Sequence, residues 1–581
     1  MNKELRVTFE PSGRSVFVLS GTVLLEAAGE AGYIIQTPCG GAAKCGKCLV
    51  RVVSGRCPPS DQEKSAIEED LLRQGYRLAC QCKVHEDLRI EIPDSSLFQT
   101  TQKILSHNAG GEIKLQPRVV KKFDGVSGIT TATVDGRVVH TEMGNMENRC
   151  YGVAFDIGTT TIVGTLVDLV SGSEIGLASM VNPQTSYGDD VISRIKKCRD
   201  EANGLKELQG SVIKAVNFLI GKLLREDGIS RKHVYEIVFA GNTAMQEILF
   251  GINPQRLGEM PFFAEFNDPL KKKASELGLD INPSGDVHVF PQIGGFVGGD
   301  TVAGIIATRL DEMKEPALLV DVGTNGEIVL CNKGRLTATS VAAGPAFEGA
   351  RIINGMRGTT GAIEKMVVVD GDIRLNVIDN VKPAGICGSG LIDIIAELLR
   401  LGVIDSTGRI QSPEELPVPV LIRRRIVEQD GQYSFLLVGR EESATGNPIY
   451  LYQKDVRELQ LANGAIRAGI NILLKTEGLK AEDLGSVLLA GAFGNFIRRN
   501  NARRIGMLPA IPCERIRFMG NTASFGAKMV LLSKAEEEYA ARVMRATKHF
   551  DLSLDPQFQE EFSAAMLFPD GGECEPADEH R

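Results

Sequence analysis

Four cysteines in the pattern Cys39-x5-Cys45-x2-Cys48-x31-Cys80 constrain this chain more than any other feature, because their thiols are spaced to converge on one centre. Six of the 12 cysteines lie within residues 39–82 and the other six are scattered singly, so the grouping is not background. The first residues, Met-Asn-Lys-Glu-Leu-Arg-Val, run straight into alternating polar and apolar positions, without the basic start and apolar run of a signal peptide. No run of 18 or more apolar residues occurs, so no membrane span is expected. The expected compartment is the cytoplasm, where disulfides are rare, and the cysteines are read as thiols. Tight thiol spacing there points to metal or redox chemistry.

A C-x4-C-x2-C run with a distant fourth cysteine is the plant-type [2Fe–2S] pattern. The first gap here is one residue longer, which resembles the adrenodoxin and bacterial-type ferredoxins. Pro38, Gly40, Gly41, Ala42, Ala43 and Gly46 are small, so backbone N–H groups can approach the sulfides. Four thiolates also suit zinc, but zinc sites pair two C-x2-C knuckles and only one is present. A [2Fe–2S] cluster on Cys39, Cys45, Cys48 and Cys80 is therefore expected, a one-electron carrier. Cys82 is an alternative fourth ligand, and Cys57, before Pro58-Pro59, is read as structural. Gly41-x4-Gly46-Lys47 imitates a P-loop, but Cys48 stands where Ser or Thr is needed. The flanks predict a ferredoxin-like β-grasp: strands at 5–10 and 15–19, a helix at 23–31, a strand at 48–53, a helix at 63–74, and a last strand through Leu88, Ile90 and Ile92.

At 581 residues the chain exceeds one core, and typical domain sizes suggest roughly three to five units. A net charge of −9 leaves no cationic excess for a phosphate backbone or an anionic membrane, which argues against both as partners. From residue 151 the pattern changes. An apolar run ends in Asp156-Ile157-Gly158-Thr159-Thr160-Thr161, and a later one ends in Asp321-Val322-Gly323-Thr324-Asn325-Gly326-Glu327. Each is followed by another apolar strand ending in Ala-Gly, at Ala240-Gly241-Asn242-Thr243 and at Ala490-Gly491-Ala492-Phe493-Gly494, so the motif occurs twice. Gly158 and Gly323 free backbone N–H groups for phosphate oxygens. Thr159, Thr160 and Thr324 add hydroxyl donors, with Asn325 grouped beside them, and Asp156 and Asp321 can hold Mg2+ through water. Gly491 and Gly494 let the backbone pass close to a base or ribose.

These paired hairpins resemble the sugar kinase, heat-shock chaperone and actin superfamily of duplicated RNase H-like folds. Preceded by a [2Fe–2S] domain, they make nearly the whole chain resemble the ATP-dependent reductive activators of corrinoid proteins. Further marks are Gly344-Pro345-Ala346-Phe347-Glu348-Gly349, Ile386-Cys387-Gly388-Ser389-Gly390-Leu391-Ile392-Asp393 and Gly520-Asn521-Thr522-Ala523. The resemblance implies binding and hydrolysis of ATP while one electron passes to Co(II) of a partner's cobamide, regenerating Co(I). It implies as partner a corrinoid iron–sulfur protein or a methyltransferase's corrinoid subunit, with a low-potential electron donor. A homodimer is among the oligomeric states left open.

The expected architecture is an α/β multidomain chain: a [2Fe–2S] ferredoxin-like domain at 1–94, a flexible linker at 95–125 and a connecting segment at 126–149. A first RNase H-like half at 150–310, a second with the nucleotide site at 311–550, and a tail at 551–581 complete it. Residues 456–476 are expected as a core helix near the nucleotide. Ser389, before an apolar helix, has three readings: helix N-cap, phosphate contact, or oxygen donor toward the partner's cobalt. Two rival functions remain. An activator of a radical dehydratase or aromatic-ring reductase shares the ATPase fold but carries a [4Fe–4S] cluster on few cysteines. A nucleotide-binding redox sensor would lack turnover.

Overall fold

A computed structural model describes residues 4–10, 14–31, 35, 48–93, 96, 114–188, 190–429, 431–491 and 497–569. Cys39, Cys45 and Gly494 lie outside the described residues. The N-terminal sheet runs in the order Arg14–Leu19, Glu4–Glu10, Leu88–Glu91, Leu49–Ser54, Tyr76–Leu78. Its first strand pairs antiparallel with its hairpin partner and parallel with the last strand, which is the expected β-grasp. Period-two alternation turns Leu5, Val7, Phe9 and Val16 inward, against Leu24 and Ala27 of the helix Leu24–Glu30.

Two expectations in this domain are corrected. The helix foreseen at 63–74 is two short ones, Asp61–Ala66 and Glu69–Arg73, because Ile67 turns extended and buries its side chain. Glu63, fully buried, closes a capping box with Ser60 and accepts the Leu78 N–H at 2.7 Å, which fixes the strand leading to Cys80. The other correction concerns thiols: Cys57 and Cys82 form a disulfide. Both are buried in the domain core with Cα atoms 6.2 Å apart, so packing brings them within bonding reach whatever the compartment favours. Cys57 is structural, as expected, and Cys82 does not compete with Cys80.

Two six-stranded sheets repeat one plan. The first is ordered Glu174–Val181, Thr161–Asp168, Tyr151–Ile157, Val234–Gly241, Asp286–Val289, Leu270–Lys273. In the second, Arg335–Val341, Gly326–Asn332, Ala317–Val322, Ser486–Ala490 and Ile516–Gly520 take the same five places, with Thr547–His549 added outside Arg335–Val341. In each, an antiparallel hairpin is followed by a strand parallel to its first member. A long helix makes each crossover, Gly204–Glu226 and Gln453–Thr476, the latter covering the helix expected at 456–476. After the fifth strand come the helices Gly299–Thr308 and Thr522–Leu532, which pack on each other.

The expected linker and connecting segment are corrected from residue 116 onward. Gln116 pairs with the backbone at Leu532 and Lys534. Val119–Asp124, Ile129–Val134 and Arg137–Met143 then form an antiparallel sheet instead of a tether. Arg118, fully buried, pairs with Glu236 of the first half and at 2.8 Å with Glu537. Within the expected tail, Phe558–Ala565 is a helix on Gln453–Thr476, and Phe568 is buried in the core. Apolar spacing (Phe558, Phe562) explains this docking, and residues 570–581 lie outside the described residues. Among the described residues no helix is long and apolar enough to cross a membrane.

Glu142 ties the small sheet down, receiving Lys121 Nζ at 2.6 Å and His233 Nε2 at 2.9 Å. Burial alone would raise its pKa, but hydrogen bonds from Lys121 and His233 outweigh it and hold the carboxyl down at about 2. A depressed folded-state pKa contributes stability above the ordinary carboxylate range that is lost as pH falls toward the folded value. Glu142→Gln is therefore expected to lower the denaturation midpoint at pH 7, with the gap to the unmodified protein narrowing steadily below about pH 5. Midpoints at pH 7, 5 and 4 check this; a gap independent of pH contradicts it.

Candidate functional site

In the N-terminal domain, Cys48 lies just before the strand Leu49–Ser54 and Cys80 just after Tyr76–Leu78. The Ala79 N–H donates to the Cys48 carbonyl at 2.8 Å, which sets the two side by side. Their sulfurs stand 3.3 Å apart and neither is in a disulfide. Thiolates on one tetrahedral metal at about 2.3 Å are separated by a little under 4 Å, so this pair fits as one half of a four-thiolate set. Gln81 Nε2 reaches the Cys80 sulfur at 3.7 Å, a donor of the kind that tunes such a site. A [2Fe–2S] cluster supplies one-electron chemistry when bound.

The second site lies where the two sheets face each other. Asp156 and Asp321 end equivalent strands, and both are half-buried. Asn521 Nδ2, from the second half, donates to Asp156 Oδ2 at 2.7 Å while its own Oδ1 caps the helix Thr522–Leu532. Asp300, in the first turn of Gly299–Thr308, and Glu327, opening Gly326–Asn332, complete an acidic set. Burial pushes Asp156 up to about 6, with Asn521 opposing. Burial, then the charge of Asp156, raises Asp300 to about 7. Asp321 reaches about 8 through burial and then the charges of Asp300 and Asp156, and Glu327 is raised by burial and then the charges of Asp300 and Asp321. Burial and mutual repulsion thus act together on this acidic set.

Each turn is held by its own half. Arg194, fully buried, donates to the Thr159 carbonyl at 2.6 Å, Asn242 Nδ2 to Thr159 Oγ1 at 3.0 Å, and Asn182 Nδ2 to the Gly158 carbonyl at 2.9 Å. A Cβ on Gly158 would meet the Thr161 carbonyl at 2.8 Å, and one on Gly491, at φ +100°, would meet Asp321 Oδ1 at 2.7 Å. Gly323 is different: a Cβ there finds ordinary contact at 3.4 Å, from the Asn325 carbonyl, whose oxygen accepts the Gly323 N–H. The turns meet at a residue to which the sequence pattern gave no role. Thr160 Oγ1 donates to Glu348 Oε2 at 2.5 Å and Thr324 Oγ1 to Glu348 Oε1 at 2.6 Å, with the two hydroxyls 3.4 Å apart.

Ser389 is not the N-cap. The helix Gly388–Arg400 begins one residue before it, with Cys387 in the cap position and no side-chain cap. Close packing is the cause: a Cβ on Gly388 would lie 1.7 Å from the Phe347 carbonyl and one on Gly390 2.0 Å from the Ile363 carbonyl. The Ser389 hydroxyl is buried and 3.3 Å from the Cys387 sulfur.

Comparison with known proteins decides what kind of molecule this is. Residues 7–85 match the 2Fe-2S iron-sulfur cluster binding domain, 151–313 the RACo middle region, and 315–577 the C-terminal ASKHA domain of RACo. The corrinoid activation enzyme RamQ of Eubacterium limosum is 33% identical over 97% of this chain and 99% of its own length. The chain belongs to the RACo family. A solved reductive activator for a corrinoid, iron-sulfur protein superposes over 97% of this chain and 98% of its own, with TM-score 0.73 and 33% identity. A Methanosarcina barkeri reductase of a methylated amine-specific corrinoid protein is 30% identical over 66% of this chain and 70% of its own. RACo membership makes this an ATPase-type enzyme coupled to electron transfer, with a ferredoxin domain before a duplicated actin-like fold.

Sequence reasoning missed Glu348, Asp300 and Glu327 as cleft residues and Asn521 as the partner of Asp156. The signal for Glu348 was present, an acidic residue bracketed by Gly344 and Gly349. The packing separates two glycines by experiment. Gly388→Ala is expected to destabilise the protein by about 1–3 kcal/mol or more through overpacking. Gly323→Ala is expected to leave thermal stability unchanged or slightly raised. Unfolding midpoints of both variants check this, and equal losses contradict it.

Proposed function

We propose that this chain reductively activates a corrinoid protein, delivering one electron from a [2Fe–2S] cluster on Cys39, Cys45, Cys48 and Cys80 to Co(II) of the partner's cobamide and so regenerating Co(I). The observation that carries the reading is the union in one chain of a paired-thiol half-site with a duplicated cleft whose two threonine turns converge. The relatives' names, a corrinoid activation enzyme and a Co(II) corrinoid protein reductase, support the acceptor. Either a corrinoid iron–sulfur protein or a methyltransferase's corrinoid subunit fits as partner, with a low-potential protein as donor.

In the cleft, Gly158, Thr159 and Thr160 face one end of an ATP triphosphate and Gly323, Thr324 and Asn325 the other. Asp156 and Asp321 hold Mg2+ through water. Gly491 and Gly494 border the nucleoside. Hydrolysis needs positioning and charge neutralisation, without a covalent enzyme intermediate. Because both turns contact one ligand, nucleotide favours the closed cleft. Any difference in partner affinity between open and closed forms is then linked to ATP by thermodynamic necessity.

The test uses the full-length protein. Adding a Co(II) corrinoid protein is expected to stimulate ATP hydrolysis. Cys48→Ser is expected to abolish Co(I) formation while keeping basal ATPase activity, and Asp321→Asn to lose both. Unstimulated turnover, or Co(I) from the Cys48→Ser protein, contradicts the proposal.

A further inference from the structure

We propose that Glu348 is the catalytic residue that orients and deprotonates the water attacking the terminal phosphate, an assignment that rests on the ATP reading of the cleft. The threonines assigned to phosphate are already occupied in this structure, and the occupant is this carboxylate. Thr160 and Thr324 come from different halves, yet each donates to a different oxygen of Glu348, at 2.5 and 2.6 Å. A hydroxyl has one proton to give. When phosphate oxygens take those two protons, the carboxylate loses both donors while its backbone stays beside the γ-phosphate.

That backbone is anchored on three sides. Gly344, at φ +80°, donates its N–H to the Thr324 carbonyl at 2.9 Å, tying the segment to the second turn. Phe347 is fully buried in the core of the second half, with its carbonyl against Gly388. Gly349, at φ +77°, passes so close to Met356 that a Cβ would come 2.1 Å from the Met356 carbonyl oxygen. The short turn Pro345–Glu348 is thus fixed, and the only part of Glu348 free to respond to a ligand is its side chain. A half-buried carboxylate released next to a bound γ-phosphate repels it unless a water lies between, and that water is held by an acceptor on one side and faces phosphorus on the other. In the step, the water oxygen bonds to the γ-phosphorus as the bond to the β,γ-bridging oxygen breaks. The water's proton passes to Glu348, and ADP leaves with the bridging oxygen. Asp156 and Asp321, assigned to magnesium, are not available for this role.

Glu348→Gln keeps the shape but cannot take the proton. With the cluster-loaded full chain, its single-turnover ATP hydrolysis is expected to fall by about 100-fold or more. Its affinity for a non-hydrolysable ATP analogue with Mg2+ is expected to stay within about threefold of the unmodified protein. Glu348→Asp, which retains a carboxylate on a shorter stem, is expected to bind the analogue and hydrolyse at an intermediate rate. Hydrolysis by Glu348→Gln within about threefold of normal overturns the assignment. So does parallel loss of binding and hydrolysis in both variants, which would make Glu348 purely structural. If the unmodified protein fails to bind the analogue, the ATP reading falls first, and that result is distinct from either of these.

Discussion

The crossing of two helices, Gly299–Thr308 from the first half and Thr522–Leu532 from the second, is the constraint on which the cleft depends. Their backbones approach so closely that a Cβ on Gly526 would stand 2.4 Å from the Ala303 carbonyl oxygen. Because each helix follows the fifth strand of its sheet, the crossing turns the two strand ends toward each other. It also carries Asn521, the cap of the second helix, onto Asp156 of the first half, and Asp300, in the first turn of the other, toward both aspartates. The small sheet at 119–143 is locked to the same region through Arg118 between Glu236 and Glu537. Removing one partner of a buried ion pair leaves an uncompensated charge costing about 3–5 kcal/mol, so this sheet is bound firmly to both halves.

Much of this was legible in the sequence because the signals were local. Cysteine spacing, period-two alternation in the first twenty residues and the twice-written Asp-x-Gly-Thr turn are all read within a few positions. The misses share a physical cause: they depend on contacts distant in sequence. Glu348 gains meaning only when Thr160, 188 residues earlier, swings across to it. The Cys57–Cys82 bond follows from packing that no spacing rule contains. The linker expected at 95–125 rests on Ser95-Ser96, Gly110-Gly111 and polar neighbours, a local signal that says nothing of Lys121 pairing with Glu142 across the strands. Ser389 misled for a related reason. A serine before an apolar helix reads as a cap, but two glycines let the helix start earlier by lying on carbonyls of other segments.

In functional terms the molecule joins a carrier of single electrons to a cleft that consumes nucleotide. The two sites have separate cores and separate chemistry, and on the proposed reading nucleotide and partner are coupled through the conformation of the cleft. The central claim is that electrons reach the acceptor only when the cleft is charged with ATP. The direct measurement is the visible spectrum of a Co(II) corrinoid protein mixed with the reduced chain, recorded before and after Mg-ATP is added. The account predicts that the Co(I) band rises only after ATP. Co(I) formed to the same extent without nucleotide, or none formed with it, would contradict the account.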